Sequence, residues 1–344
     1  MLLSLAPILL LVALLSTSVA LFGSDASYGP NQVALVVAAG ATMLVGWRRG
    51  MSWQQIQDGM VGAITVSIMP MMILLSVGAL IGSWIISGTV PGMIFYGLQL
   101  LNPDIFYAAS AVICALASLS LGSSWTVAGT LGIGLMGIAT TYGLSPAITA
   151  GAIISGAYFG DKLSPLSDTT NLAAAAVGVD LFEHIKNMLW TTLPAFALAL
   201  LFFAIIGSEG AAAPDDITRI RAALSDQFAI TPWVLSPLVL MLAMIYFKIP
   251  AYPAILLCTL CGTAYGAVFQ PEVVRTMALT AHPESPAPLL QGLWMALFSG
   301  YQSPADMDQL SQLLDKGGLA SMLNTIFLIL TAMTFGGLLD STGI

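Results

Sequence analysis

Apolar runs recur along this chain, several of them about 20 residues, long enough to cross a bilayer. In hydrocarbon no water pairs with a backbone amide or carbonyl, so each run must satisfy its own hydrogen bonds. Helices do this. The strand-style alternation that marks a barrel is absent. The runs fall near 5–22, 33–47, 61–86, 105–121, 127–140, 147–158, 188–206, 232–247, 254–269, 289–298 and 319–339. Several are too short to cross alone at about 1.5 Å of rise per residue. Only 8% of the 344 residues are charged, against about a quarter in a soluble domain. The expected fold is therefore an all-α polytopic membrane protein, a single transmembrane domain over 1–344, with lipid as the main solvent.

The N-terminal stretch MLLSLAPILLLVALLSTSVA lacks the basic region of a signal peptide and reads as the first membrane helix. Arg48 and Arg49 follow the second run, while the loop from Gly23 to Asn31 holds Asp25 and no basic residue. The positive-inside rule then places the N-terminus in the cytoplasm. Ser52 is positioned to cap a short interfacial helix that runs into the third span. Pro70 lies inside that span and predicts a kink.

The net charge of −8 comes largely from acids in short connecting stretches, such as Glu272, Glu284 and Asp315, and no basic patch suits nucleic acid. Cys258 and Cys261 have CxxC spacing inside an apolar run, where they read as small core residues on one helix face. No P-loop, nucleophile elbow or HExxH motif is present, and the sequence calls for no cofactor.

Charges inside membrane spans are costly and mark function. Sorting the charges by their flanks leaves Asp161, Lys162, Asp168 and Asp340. The first three share the stretch from Gly156 to Asn171, which is polar yet bounded by apolar runs. Gly160 and Pro165 predict that it is not one continuous helix. Broken backbone at membrane depth is tolerated only in a protein interior or along a cavity, where its exposed groups can hold an ion. Asp161, Ser164, Ser167, Asp168, Thr169, Thr170 and Asn171 offer hard oxygens, which suit sodium rather than a soft metal. A desolvated aspartate can take either a cation or a proton. The competing reading is a surface loop whose polar residues cap helices.

A second polar break spans Ser120 to Thr126, with Ser123, Ser124 and Thr126 as further candidate oxygens. The glycines that follow, Gly129 to Gly137, read as close-packing positions. The segment Asp180–Lys186 reads as a short amphipathic surface helix in which His184 is structural. Leu80-Ile81-Gly82 with Ser87-Gly88 resembles Phe335-Gly336-Gly337 with Thr342-Gly343, at an offset of about 255 residues. The expectation is two related repeats, the first near 1–206 and an incomplete second near 232–344, in a sequence that continues past Ile344.

The segment SGAYFGDKLSPLSDTTNLAAAAVGVDLFEHIKNMLWTTLP, Ser155–Pro194, resembles the signature region of the NhaC family of sodium–proton antiporters, which includes malate–lactate antiporters. GALIGSWIISGTVPGMIFYGLQLL at Gly78–Leu101 and SLGSSWTVAGTLGIGLMGI at Ser120–Ile138 are similar to the same family. The resemblance implies the inverted repeats, broken helices and hairpins of the ion-transporter superfamily, in a multi-pass protein of the cytoplasmic membrane. It implies Na+ and H+ as transported ions, with malate or lactate as an organic partner. Sodium would sit at Asp161 and Asp168, with Ser167, Thr169, Thr170 and Asn171 as the polar run and Gly122 to Thr126 as a second hairpin. Lys162 is the candidate charge for an organic anion, and a homodimer is one assembly open to the chain. Ala173-Ala174-Ala175 departs from the family, which often has a proline there.

Overall fold

The computed structural model describes residues 2–165, 167, 169–170, 173–174, 178–206, 214–247, 249–303, 311 and 314–344. Every regular element among them is helical: α1 (Leu2–Phe22), α2 (Pro30–Arg48), α3 (Trp53–Ile86), α4 (Thr89–Leu100), α5 (Phe106–Leu121), α6 (Ser124–Gly129), α7 (Leu131–Thr141), α8 (Pro146–Leu163), α9 (Leu181–Ile206), α10 (Pro214–Gln227), α11 (Ser236–Tyr246), α12 (Ala251–Phe269), α13 (Pro271–Ala281), α14 (Pro288–Phe298) and α15 (Leu323–Thr342). Six of the described helices are long and apolar enough to cross a bilayer, and eight spans result if two bent helix pairs count as one each. Large apolar side chains such as Leu9, Val66, Trp190, Leu198 and Ile205 are exposed, as lipid-facing surface requires.

The chain forms two compact units, 1–75 with 320–344, and 76–319. In the first, Leu35, Ala38, Ala39 and Ile56 pack with Phe335 and Leu338. Glycines set how closely α3 and α15 approach: a Cβ at Gly337 would lie 2.4 Å from the Gly59 carbonyl oxygen. Arg49, just past α2, donates from Nη1 to the Thr342 carbonyl oxygen at 2.5 Å. A cation thus meets the unpaired carbonyls and negative dipole end of α15. Ser52 behaves as expected. Its Oγ accepts from Gln55 N at 3.3 Å, while Gln55 Oε1 accepts from Ser52 N at 2.9 Å, a reciprocal cap at the start of α3. The helix then runs on through Pro70.

The second unit is built around α5 and α8. Its bent pairs are α4 with α5, at 100°, and α10 with α11, at 89°. Each bend is pinned by a side chain that satisfies backbone groups the helices leave open. Tyr142 Oη donates to the Leu101 carbonyl at 2.6 Å. Gln270 both donates to Ala229 O and accepts from Ala229 N, each at 3.1 Å.

Three expectations are corrected. The run 127–140 is not one helix, because the backbone turns at Thr130 (φ −118°, ψ −81°) between α6 and α7. Asp180–Lys186 is not a separate surface helix: Asp180 Oδ1 accepts from Phe182 N and Glu183 N at 2.9 and 3.2 Å and caps the start of α9, which carries His184. Cys258 is buried against Met244, with sulfur atoms 3.7 Å apart, but Cys261 is exposed, so the pair does not share a core face.

Candidate functional site

The polar stretch is helical for longer than its composition suggests. α8 continues through Gly156, Gly160 and Asp161 to Leu163, and the break falls at Ser164–Pro165. Gly160 does not interrupt the helix, because its missing side chain serves another purpose. A Cβ at Gly156 would stand 2.0 Å from the Ala111 carbonyl oxygen, and one at Gly160 would stand 2.3 Å from that of Ala115. The two glycines, four residues apart, lie on one face of α8 and let α5 approach backbone to backbone. Ser118 Oγ reaches across this contact and donates to the Ala157 carbonyl at 2.6 Å.

That crossing positions Asp161, one residue past Gly160. Its side chain is 7% exposed. Ser124 Oγ donates to Asp161 Oδ2 at 2.7 Å. Ser124 reaches this point because α5 ends at Gly122, whose φ of 68° suits glycine, and the chain re-enters a helix directly after Ser123. A buried carboxylate is thus met by a hydroxyl from a second helix, beside breaks in both. No described cation lies within ion-pair distance of Asp161, and Arg275 with Glu272 form an ion pair elsewhere, on α13.

The other candidate oxygens are engaged differently. Thr170 Oγ1 donates to the carbonyls of Asp161 and Lys162 at 3.0 and 3.2 Å, so it caps the end of α8 and does not touch the carboxylate. Ser167 is buried, its Oγ lies 2.9 Å from Thr169 Oγ1, and it accepts from Thr170 N. Ser123 Oγ lies 2.9 Å from Thr126 Oγ1 and accepts from Thr126 N. Lys162 is exposed in the last turn of α8, and Asp340 is exposed on α15. Asp168 and Asn171 lie outside the described residues. The structure therefore brings Asp161 and Ser124 together, out of segments that the sequence treated as two separate sites.

Lys316 was not singled out by its local sequence. It lies in the loop 315–318, outside the spanning helices; its side chain is exposed, and partial loss of water at that surface lowers its pKa from the ordinary lysine value. Its side chain lines a cavity of about 330 Å3 whose other walls come from α3, α4, α6, α7 and α8.

Together these features define a multi-pass helical membrane protein with a carboxylate buried between interrupted helices. The sequence profile described as "Na+/H+ antiporter family" matches residues 156–344. The malate-2H(+)/Na(+)-lactate antiporter of Bacillus subtilis is 36% identical over 92% of this chain and 64% of its own length. The Na(+)/H(+) antiporter NhaC of Alkalihalophilus pseudofirmus is 37% identical over 92% of this chain and 64% of its length. The arginine/ornithine antiporter ArcD of Halobacterium salinarum is 31% identical over 99% of the chain and 67% of its length. No solved structure matches. The chain belongs to the Na+/H+ antiporter family. It spans about two thirds of the length of the curated relatives it matches.

Proposed function

We propose that the protein carrying this chain is a secondary active antiporter of the cytoplasmic membrane that exchanges Na+ for H+. The observation that carries this reading is the buried Asp161 carboxylate held by Ser124 Oγ at 2.7 Å, beside two helix breaks. A carboxylate in that setting binds one of two alternative partners, Na+ when ionised or H+ when neutral. Competition for one group makes the exchange obligatory. Ser124 holds the ionised form and presents its hydroxyl oxygen as a further hard donor atom. Asp168 and the polar run through Asn171 complete the ion site in this reading. Two related repeats, the first about 1–206 and the second about 232–344, are part of the same proposal.

Antiport is tested with the intact protein in liposomes carrying an imposed pH gradient. Sodium added outside should dissipate the gradient, and Asp161→Asn should abolish the effect. Absence of sodium-dependent proton movement from the unaltered protein would sink the proposal. A cation-coupled malate or lactate carrier is the second reading, favoured by the 36% identity to a malate–lactate antiporter. Lys162, which the sequence offered as the charge for an organic anion, is exposed. A passive channel fits less well, because the relatives described above are antiporters by name.

A further inference from the structure

A serine inside a helix commonly turns its hydroxyl back to its own backbone. Ser67 donates to the Ile64 carbonyl and Ser83 to that of Leu80, each three residues back. Ser118 on α5 does otherwise. It is fully buried, and its Oγ crosses to α8 and donates to the Ala157 carbonyl at 2.6 Å. Gly160 makes the room, because a Cβ there would stand 2.7 Å from the Ser118 Cβ.

In an α-helix the carbonyl of residue i accepts from the amide of residue i+4. The Ala157 carbonyl therefore also takes the Asp161 N–H within α8. One oxygen joins the backbone of Asp161 to α5. The Ser118 carbonyl acts on the other arm of the site. It accepts from Gly122 N at 2.7 Å, which fixes the left-handed turn that ends α5 and sends the chain into α6. Ser124, two residues past that turn, donates to Asp161 Oδ2 at 2.7 Å. The bonds close a circuit: Ser118 to Ala157, Ala157 to Asp161, Asp161 to Ser124, and Ser124 back through the Gly122 turn to Ser118.

We infer that Ser118 is a positioning residue of the ion site, which keeps the Ser124 hydroxyl in register with the Asp161 carboxylate. Its own hydroxyl is bonded to Ala157 and to neither of them, so it acts through the backbone. Without that bond the crossing is left to the packing of glycines against alanines, and the last turn of α5 can slip along α8. A hydrogen bond weakens steeply as it bends, so the slip spreads the two oxygens over several spacings. An ion that needs both of them then binds less tightly, while the helix movements that carry it are unchanged. The inference rests on the antiport reading above, since sodium is the ion that the two oxygens share there.

Sodium-driven proton flux in liposomes, titrated with sodium, separates apparent affinity from maximal rate. Ser118→Ala should weaken the apparent sodium affinity roughly threefold to tenfold, with the maximal rate nearly kept. Ser110 lies on the same helix and is equally buried, and its Oγ has no hydrogen-bond partner among the described residues, so Ser110→Ala should match the unaltered protein. The deciding variant combines Ser118→Ala with Ser124→Ala. Once the Ser124 hydroxyl is gone nothing is left to position, so the double variant should bind sodium no more weakly than Ser124→Ala alone. Losses that multiply, as a merely structural hydroxyl would give, overturn the inference and leave antiport standing. Unchanged affinity in Ser118→Ala, or an equal loss in Ser110→Ala, overturns it too. No sodium-dependent flux from the unaltered protein defeats the antiport reading and the inference with it.

Discussion

Replacing Gly160 by alanine adds one methyl group at a backbone-to-backbone contact in the second unit. The new carbon would stand 2.3 Å from the Ala115 carbonyl oxygen and 2.4 Å from Leu119 N, where ordinary contact begins at 3.4 Å. Both obstructing atoms are backbone, so no side-chain rotation relieves them. The helices must separate locally by about 1 Å, a strain of about 1–3 kcal/mol. Asp161 is the next residue on α8. A shift of that size takes its 2.7 Å bond to Ser124 past the limit of a real hydrogen bond. A hydrogen bond to a charged group contributes about 1.5–3 kcal/mol, so sodium-driven proton flux in liposomes should fall by about tenfold or more. Gly151→Ala is the control. It lies on the same helix with nothing within 4 Å of its added carbon, and the gain in helix propensity should leave flux intact and raise the melting temperature slightly. Wild-type flux in Gly160→Ala, or equal losses in both variants, would refute the link between the α5–α8 crossing and the carboxylate.

Ser124→Ala removes the same hydrogen bond with no steric strain, so its apparent affinity for sodium should drop roughly tenfold while its melting temperature falls less than that of Gly160→Ala, which adds the strain of separating the helices. A large stability loss with unchanged sodium affinity would assign Ser124 a purely structural role. Gly317→Ala forces a side chain into a left-handed conformation 2.5 Å from Gly82 N, and should lower stability by about 2 kcal/mol or more, read as a depressed thermal midpoint in detergent.

The spanning helices were legible because hydrocarbon leaves a backbone so few options. Their interruptions were harder to place. Gly160 read as a breaker, since a glycine in a polar stretch carries that meaning unless the partner surface is known. The partner surface is Ala111, Ala115 and Ser118 on α5, and nothing local announces that α5 lies against α8. Asp161 stood out as a charge with apolar flanks, but Ser124 is 37 residues away and its role depends on the turn at Gly122.

Among the described residues Asp161 faces a hydroxyl and no fixed positive charge, and for the exchange proposed above this bears on how fast the site can turn over. An arginine or lysine partner would compete with every incoming ion, and each exchange would require pulling opposite charges apart in a medium of low dielectric constant. A serine hydroxyl rotates about a single bond. It points its hydrogen at an ionised carboxylate and turns a lone pair toward whatever the carboxylate has captured. Under the proposed exchange, swapping one occupant for another then needs a rotor flip measured in picoseconds to nanoseconds, and slower helix movements set the pace.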